Sequence, residues 1–474
     1  MTKRRLVVVG GGISGLAAAH AAHRAIQLAG RRADFDVLLL ERAADVGGKA
    51  SSRRDGSWLV EEGPTGFLDN EPIVDQLAEI ADVQKVPAQA AAARRYVVRG
   101  GRPRELKPHP LAFATSGVLS PLGLFRLLRE RWVKPLEGDV DESVYDFAVR
   151  RLGKQAALRL VGPMVSGVHA GDPLHLSLAA AFPRMREMER QHGSLFKALS
   201  AKRKAAKAAG TVSGGPMGPS GVLTSFADGL QSLPRALARP GRFDVRTRAV
   251  VEALVAGAAG MWRVGLADGT SFDAHALVIA TEGWAAAPLV EPFAPDASRV
   301  LAEIRHPPLH VVALGFGEEA LAKCPVGFGA LVPRDEGYRM LGVLEDSHVF
   351  PGRSAPGTLL LRVMLGGATD PRITTLSMQE VEDIAVSEVM RLFGLTTPPV
   401  FRHTKPWAHS IPQYTIGHRD RAATAHADLE RASRRIAPVH LAGNVFGGVA
   451  FSASAATGWR AGERAAHELL AAPA

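Results

Sequence analysis

Gly10, Gly12 and Gly15, set between an apolar run and an alanine-rich stretch, are the residues whose spacing most directly implies chemistry. Leu6–Val9 is a β-branched run suited to a strand buried on both faces. In Gly10-Gly11-Gly12-Ile13-Ser14-Gly15 the three spaced glycines would serve a tight turn, the approach of a pyrophosphate to the backbone, and close helix–strand packing. The stretch from Leu16 to Ala29 reads as the following helix, whose N-terminus offers free N–H groups and a positive dipole to phosphate. A second strand, Phe35–Leu40, ends at Glu41, where a carboxylate can accept the two hydroxyls of a ribose. The interval from Gly15 to Glu41 is slightly long, and Arg31–Asp34 reads as extra turn. Together these features predict a βαβ unit for the ADP half of a dinucleotide; the alternative is a glycine-rich turn without a ligand.

The residues beyond Glu41 separate NAD from FAD. Gly47-Gly48-Lys49 and Ser51-Ser52 lie just after it, with Glu62-Gly63-Pro64 further on. This second glycine pair resembles that of the FAD-dependent amine oxidases and their relatives, where it lies against the cofactor. No second GxGxxG stands after a strand: Gly315-Phe316-Gly317 and Gly327-Phe328-Gly329 lack the third glycine and the helix. A flavoprotein without a nicotinamide site takes its electrons from its substrate and passes them to dioxygen or another acceptor.

Composition bounds the remaining readings. A chain of 474 residues suggests about three domains. Its one cysteine, Cys324, excludes a disulfide within the chain and argues against a thiolate metal site. The 16 histidines form no ligand pattern: His20 and His23 lack a third partner, and Pro307-Pro308 interrupts His306–His310. No metal is expected. A net charge of +10 favours anionic partners, but no basic motif interleaved with aromatics supports nucleic acid. The apolar start contains too many glycines for a secretory signal. No stretch has the roughly 18 uninterrupted apolar residues of a membrane span. The expected compartment is the cytoplasm, with a peripheral membrane contact open. The segment bearing on that contact runs from Leu111 to Leu136, where apolar residues interleave with Arg126, Arg129, Arg131 and Lys134. Its alternative reading is the solvated face of a helical subdomain. Oligomeric state is not legible, and a homodimer is one of the states left open.

The fold class expected is α/β: a Rossmann-type FAD domain discontinuous in sequence, a mixed α+β substrate domain, and a helical, membrane-associating subdomain. Strands at Phe243–Val245, Val250–Leu254 and Trp262–Leu266, a turn at Asp268-Gly269 and a buried strand at Ala276–Ala280 return the chain to the first sheet. A strand from Val439 and a helix from about Ser454 to Leu470 close it. The FAD domain is therefore drawn over 1–87, 240–288 and 405–474. The substrate domain takes 88–92, 201–239 and 289–404, and the helical subdomain 93–200. Lys197–Lys207 reads as a solvated basic helix, and Gly210–Gly221 as a loop.

Over most of its length the chain is similar to the oxygen-dependent protoporphyrinogen oxidase family. The resemblance is carried by Glu62–Asp69, Arg94-Arg95-Tyr96, Gly167–Asp172, Gly327–Pro333, Leu341-Gly342 with Ser347 and Phe350-Pro351, and Val363–Gly367. Ile411-Pro412-Gln413-Tyr414 with Gly417-His418, and Gly443-Asn444, complete it. The 327–351 region is closer to that branch than to the coproporphyrinogen oxidases of some bacteria. Residue by residue, the resemblance assigns Arg95 to a substrate propionate, for which a guanidinium is a natural fork. Gly167 and Val168 would face one side of the macrocycle, with His169 beside them, and Phe328, Leu331 and Met364 the other. FAD contacts would come from Gly10 through Gly15, Glu41, Arg42, Gly47, Gly48, Lys49 and the run Gly63, Pro64, Thr65, Gly66. Val251, Trp407, Gly443, Val449, Ala450 and Phe451 would complete the adenine and ring contacts. The implied reaction removes six electrons and six protons from protoporphyrinogen IX in three rounds of hydride loss to flavin, with dioxygen regenerating the cofactor. Aromatisation supplies the driving force, so the protein positions and desolvates the reacting parts; no catalytic base is assigned.

Three departures from the family pattern stand out. Gly448–Ser454 replaces a segment that usually ends Asn-Asp-Cys, and Ser452 or Ser454 is expected to cap the last helix instead. His169 occupies a place more often aromatic. Glu282 stands where proline is common. An amine oxidase remains a second reading, although no tyrosine falls in Gly443–Phe451 to frame an amine. A binding scaffold of the kind that chaperones prenylated GTPases is a third, with little need for the intact Glu41 and glycine set.

Overall fold

The runs of apolar residues that lack alternation form a parallel sheet buried on both faces, as their composition requires. In the computed structural model, which describes residues 3–107, 109–208 and 221–472, β1 (Arg4–Val9), α1 (Ile13–Leu28) and β2 (Phe35–Leu40) make the expected βαβ unit. The sheet is ordered Asp244–Arg246, β2, β1, Ala276–Ile279, Val439–Leu441, with every pair parallel. Leu6 lies opposite both Val37 and Ala276 in register. The sheet thus gathers strands from three distant parts of the chain, as expected for a discontinuous domain.

One face of the sheet packs on α1 and the final helix, Phe451–Ala471. These two helices meet with their backbones nearly touching: a Cβ on Gly458 would fall 1.9 Å from the Ser14 carbonyl oxygen, and one on Gly462 2.0 Å from that of Ala18. The other face is covered by the antiparallel strands Val251–Ala256, Trp262–Leu266 and Ser271–Ala274 and by the helices Gly283–Val290, Pro295–Ala302 and His418–Arg435.

A second sheet has seven strands, ordered Phe401–Trp407, Leu309–Phe316, Leu359–Gly366, Gly342–Leu344, Gly329–Leu331, Tyr96–Arg99, Arg102–Glu105. Three of these strands correct the expected division of the chain at two places. Residues 96–105 are expected in the helical subdomain, but Tyr96 and Val97 pair with Ala330 and Leu331 and extend the sheet at its edge. The boundary at 404–405 likewise falls inside the strand Phe401–Trp407. Both misplacements have one cause: short strands at a sheet edge are recognised only by their distant partners.

Helices begin at Pro110–Ala114 and continue through Leu195–Ala208. They close around a buried ionic cluster in which Arg151 pairs with Glu130 and Glu189, while Glu130 accepts from the Ser194 hydroxyl at 2.5 Å and the Leu195 amide at 2.8 Å. The basic helix is found at Leu195–Ala208 with its middle exposed; the loop expected over 210–221 lies outside the described residues up to 220.

The last helix also differs from expectation. It starts at Phe451 with Ala450 as its N-cap and no side-chain cap, so Ser452 and Ser454 sit inside its first turn rather than before it. The Ser14 hydroxyl donates to the Ser454 carbonyl at 2.8 Å, tying the starts of the two helices together.

Candidate functional site

The three glycines of the first turn meet three different surroundings. Gly10 adopts φ +109°, and a Cβ there would lie 2.9 Å from the Ala280 carbonyl oxygen. A Cβ on Gly15 would lie 1.8 Å from the Gly10 oxygen, so this position enforces the close turn. A Cβ on Gly12 would meet nothing within 4 Å. The open side of the turn is therefore at Gly12, which is also the N-cap of α1 and offers no capping side chain. An uncapped helix start beside open space is suited to an anion.

Glu41 is buried, with one carboxylate oxygen accepting from the Gly11 amide at 2.6 Å and the other from the Ala43 amide at 2.7 Å. A carboxylate has about four acceptor directions, so capacity for two hydroxyls remains. Gly47 donates to the Gly11 carbonyl at 2.9 Å, and the Gly47-Gly48 pair lies across the first turn, with a Cβ on Gly48 falling 3.4 Å from Gly12 Cα. The Ala249 amide donates to the Glu41 carbonyl at 2.9 Å, which brings the start of the Val251 strand to the same edge. The Ile13 side chain is buried and the Ser14 hydroxyl is engaged with Ser454, so only the backbone of these two residues is available to a ligand.

Beyond this edge, polar groups converge. Lys49 pairs with Glu282, and burial together with Arg42 pushes its ammonium down to about 7. Trp284 donates to Glu282 at 3.0 Å, and Arg42 lies over the Trp284 ring at 5.1 Å. Thr281 Oγ1 and His306 Nε2 are buried without hydrogen-bond partners. Buried polar atoms without partners are rare in folded proteins; here the Thr281 backbone lies by Gly10, a Cβ on Gly283 would lie 3.7 Å from His306 Nε2, and His306 feels the charge of Lys49. These residues fit the phosphates and ribose of a dinucleotide.

The segment Gly63–Gly66 is clamped by the expected Lys49 and Trp407 together with residues that sequence reasoning missed, Thr224, Arg353 and Arg362. A Cβ on Gly63 would fall 1.9 Å from the Lys49 carbonyl oxygen, and one on Gly66 2.4 Å from that of Thr224. Trp407 donates to the Glu62 carbonyl at 2.6 Å. The buried Arg362 donates to the carbonyls of Glu61 at 2.8 Å and Gly63 at 2.5 Å, to the Thr65 hydroxyl, and pairs with Asp346 at 2.9 Å. Arg353 pairs with Glu61 at 3.0 Å. Pro64 stands between Gly63 and Thr65, both held by Arg362. Only a charged Arg362 in the middle of an apolar strand could have signalled this role, and the backbone it grips lies far upstream in the chain.

The candidate substrate residues fall into two groups. Leu331, Gly342 and Met364 lie side by side on adjacent strands, so Leu331 and Met364 flank a position without a side chain. Gly167, in the helix Gly162–His169, covers this row: a Cβ on it would lie 2.5 Å from Leu331 Cδ2. Gly167 and Leu331, expected on opposite sides of a macrocycle, are thus in contact here. Val168 is exposed. Arg95 and Phe328 form the second group, with the guanidinium over the ring at 5.4 Å. Arg95 has no ion pair with any described residue.

Two expected contacts are turned away. The His169 ring is buried edge-on to Phe182 at 5.2 Å, inside the helical layer rather than beside the Gly167–Leu331 contact. The Phe451 ring is buried against Phe67 at 5.6 Å, leaving only its backbone for a ligand. In each case an apolar neighbour invisible in the local sequence captures the ring. Val449 and the exposed Ala450 lead into the uncapped start of that helix, and Gly443, at φ +122°, opens the loop before them.

Burial also governs how the histidines titrate. It pushes His20, His169, His306 and His418 down to about 4. The unfolded chain binds protons to these groups from about pH 6.5 downward, ahead of the native state. Their contribution to stability is full above about pH 6.5 and is lost as pH falls toward 4. The expected result is a Tm that drops across pH 6.5–4 in scanning calorimetry; a flat profile there would contradict neutral burial.

Residues 13–470 match the family described as flavin-containing amine oxidoreductases. The chain is similar to protoporphyrinogen oxidase of Bos taurus, at 31% identity over 97% of this chain and 98% of the relative. It is also similar to coproporphyrinogen III oxidase of Bacillus subtilis, at 25% identity over 94% of each. Among solved structures, a provisionally named protoporphyrinogen oxidase from Exiguobacterium superposes with a TM-score of 0.83 at 22% identity, covering 99% of this chain and 100% of the other. That last likeness establishes the fold.

Proposed function

This chain belongs to the flavin-containing amine oxidoreductase family, and from that premise we propose that it is an FAD-dependent porphyrinogen oxidase acting on protoporphyrinogen IX, with dioxygen as electron acceptor. The observation that carries the substrate class is Arg95, a guanidinium spread over Phe328 and free of any described carboxylate. Such a group is set to take a carboxylate at the edge of an apolar, flat molecule. The Leu331–Gly342–Met364 row offers the apolar wall beside it.

Bound FAD supplies the acceptor for an electron pair and hydrogen at its ring. The chain's own part is to hold and exclude. Glu41 and the Gly10–Gly15 turn hold the ADP half; Arg362, Trp407 and the Lys49 backbone fix the Glu62–Gly66 segment between the cofactor edge and the second sheet. Gly167 and Leu331 part to admit the macrocycle and close on it, excluding water. The related coproporphyrinogen III carries more carboxylates than Arg95 alone can pair.

The test is Arg95→Met. Loss of one charge-assisted pair of about 1.5–3 kcal/mol should raise KM for protoporphyrinogen IX by about 10- to 100-fold with kcat little changed. An unchanged KM would remove Arg95 from the substrate site.

Membrane contact is proposed on the same footing. No helix among the described residues is long and apolar enough to cross a membrane. Leu122, Phe125, Leu128 and Trp132 are exposed, from 62% to 81% of their surface, on a segment that also carries Arg126, Arg129 and Arg131. Such a face suits the boundary of an anionic bilayer. Replacing Phe125 and Trp132 by serine should abolish co-sedimentation with phosphatidylglycerol vesicles; retained binding would assign this face elsewhere.

A further inference from the structure

The segment after Ile411 does more in this structure than fill the core. The Tyr414 ring is buried, and its hydroxyl donates to the Asn444 carbonyl and accepts from the Gly448 amide at 3.2 Å. It stacks on His418 with ring centres 4.1 Å apart and planes 16° from parallel. His418 in turn donates through Nε2 to the Val445 carbonyl at 2.9 Å. Two adjacent aromatic side chains therefore hold Asn444, Val445 and Gly448, three backbone points of one short loop.

Elsewhere the loop is held at its start, where the Gly443 amide donates to Thr457 Oγ1 at 3.1 Å and the Gly443 carbonyl accepts from it at 3.3 Å, and by the buried Val445 side chain. The loop runs between Gly443 and Gly448, at φ +122° and +113°, and leads directly into a helix start that lacks a side-chain cap. Glycines at positive φ leave the backbone free to move, so the position of the Val449–Phe451 amides depends on what grips the loop from outside. The same segment is anchored on its other side to the helical layer: Gln413 donates to the His169 carbonyl at 2.9 Å, and the Ser177 amide donates to the Tyr414 carbonyl at 2.8 Å. His169 is two residues from Gly167, the residue against Leu331.

We propose that Tyr414 is a positioning residue that fixes the Gly443–Ala450 loop against the reactive ring of the flavin and registers that ring on the substrate-facing helix Gly162–His169. The inference rests on the FAD reading for its functional half. The structural half, a loop gripped by the Tyr414 hydroxyl and by His418, stands without it.

Tyr414→Phe keeps the ring and removes both hydrogen bonds. His418→Phe keeps the stack and removes the bond to Val445, and serves if the first variant folds poorly. Amide exchange in the apoprotein should be about 10-fold faster or more at Val445–Ala450 in both variants, with the helices His418–Arg435 and Phe451–Ala471 protected as before. In the holoprotein, FAD affinity should stay within about 3-fold, because the ADP end is untouched, while the visible flavin band shifts and anaerobic reduction by protoporphyrinogen IX slows by about 10-fold or more. Unchanged exchange would overturn the clamp. Faster exchange with an unshifted flavin band and unchanged reduction would overturn its role toward the ring. A wild-type protein that takes up no FAD would defeat the FAD reading instead, and the exchange result would still decide whether Tyr414 holds the loop.

Discussion

Arg362→Met is expected to destabilise the protein by about 3–5 kcal/mol, since removing one partner leaves Asp346 charged and buried without compensation. The same substitution frees the carbonyls of Glu61 and Gly63 and the Thr65 hydroxyl, all held by this one guanidinium. FAD retention should fall with it, because Gly63 and Thr65 then lose their polar anchor, while Glu62 stays held by Trp407, Ser51 and His403. Arg362→Lys preserves the charge but not the fork, and should lie between the two. Urea titration and FAD binding of both variants check this. A methionine variant within about 1 kcal/mol of wild type that retains its flavin would show that the network is dispensable.

The second large effect is a contrast within the first turn. At Gly12 an added methyl meets no protein atom, and φ there is −71°, which any residue adopts. Gly12→Ala should therefore fold with near wild-type stability yet fill the space reserved for phosphate. Its FAD affinity should drop by about 10- to 100-fold, the equivalent of about 1–3 kcal/mol of overpacking. At Gly15 the same methyl would sit 1.8 Å from the Gly10 oxygen. Gly15→Ala should lose stability in the apoprotein as well, by about 3 kcal/mol. Calorimetry of the two apoproteins beside FAD titration separates the roles; equal stability losses would deny Gly12 its place as the open side of the cradle.

How far the residues alone disclose the fold depends on where their information is stored. The βαβ unit is legible because strand, turn, helix and acidic terminus are contiguous, and each glycine's job is local. The return strand Ala276–Ile279 is legible because its apolar run admits only a buried position. The edge strands at 96–105 are not, since their composition is ordinary and pairing with Gly329–Leu331 defines them. His169 and Phe451 take their expected faces from analogy, whereas Phe182 and Phe67 decide where those rings lie. Arg362, Arg353 and Tyr414 act on segments remote in sequence or through the backbone of another loop, and no local pattern marks that. The capping role expected of Ser452 and Ser454 fails because the helix already begins at Phe451, before either serine.

The most direct test mixes the FAD-loaded protein with protoporphyrinogen IX without oxygen, and then admits air. The expected result is bleaching of the flavin band, then its return together with fluorescent protoporphyrin, with slower bleaching by coproporphyrinogen III and none by a simple amine. Bleaching by an amine alone, with both porphyrinogens inert, would contradict the assignment of this fold's site to porphyrinogen oxidation.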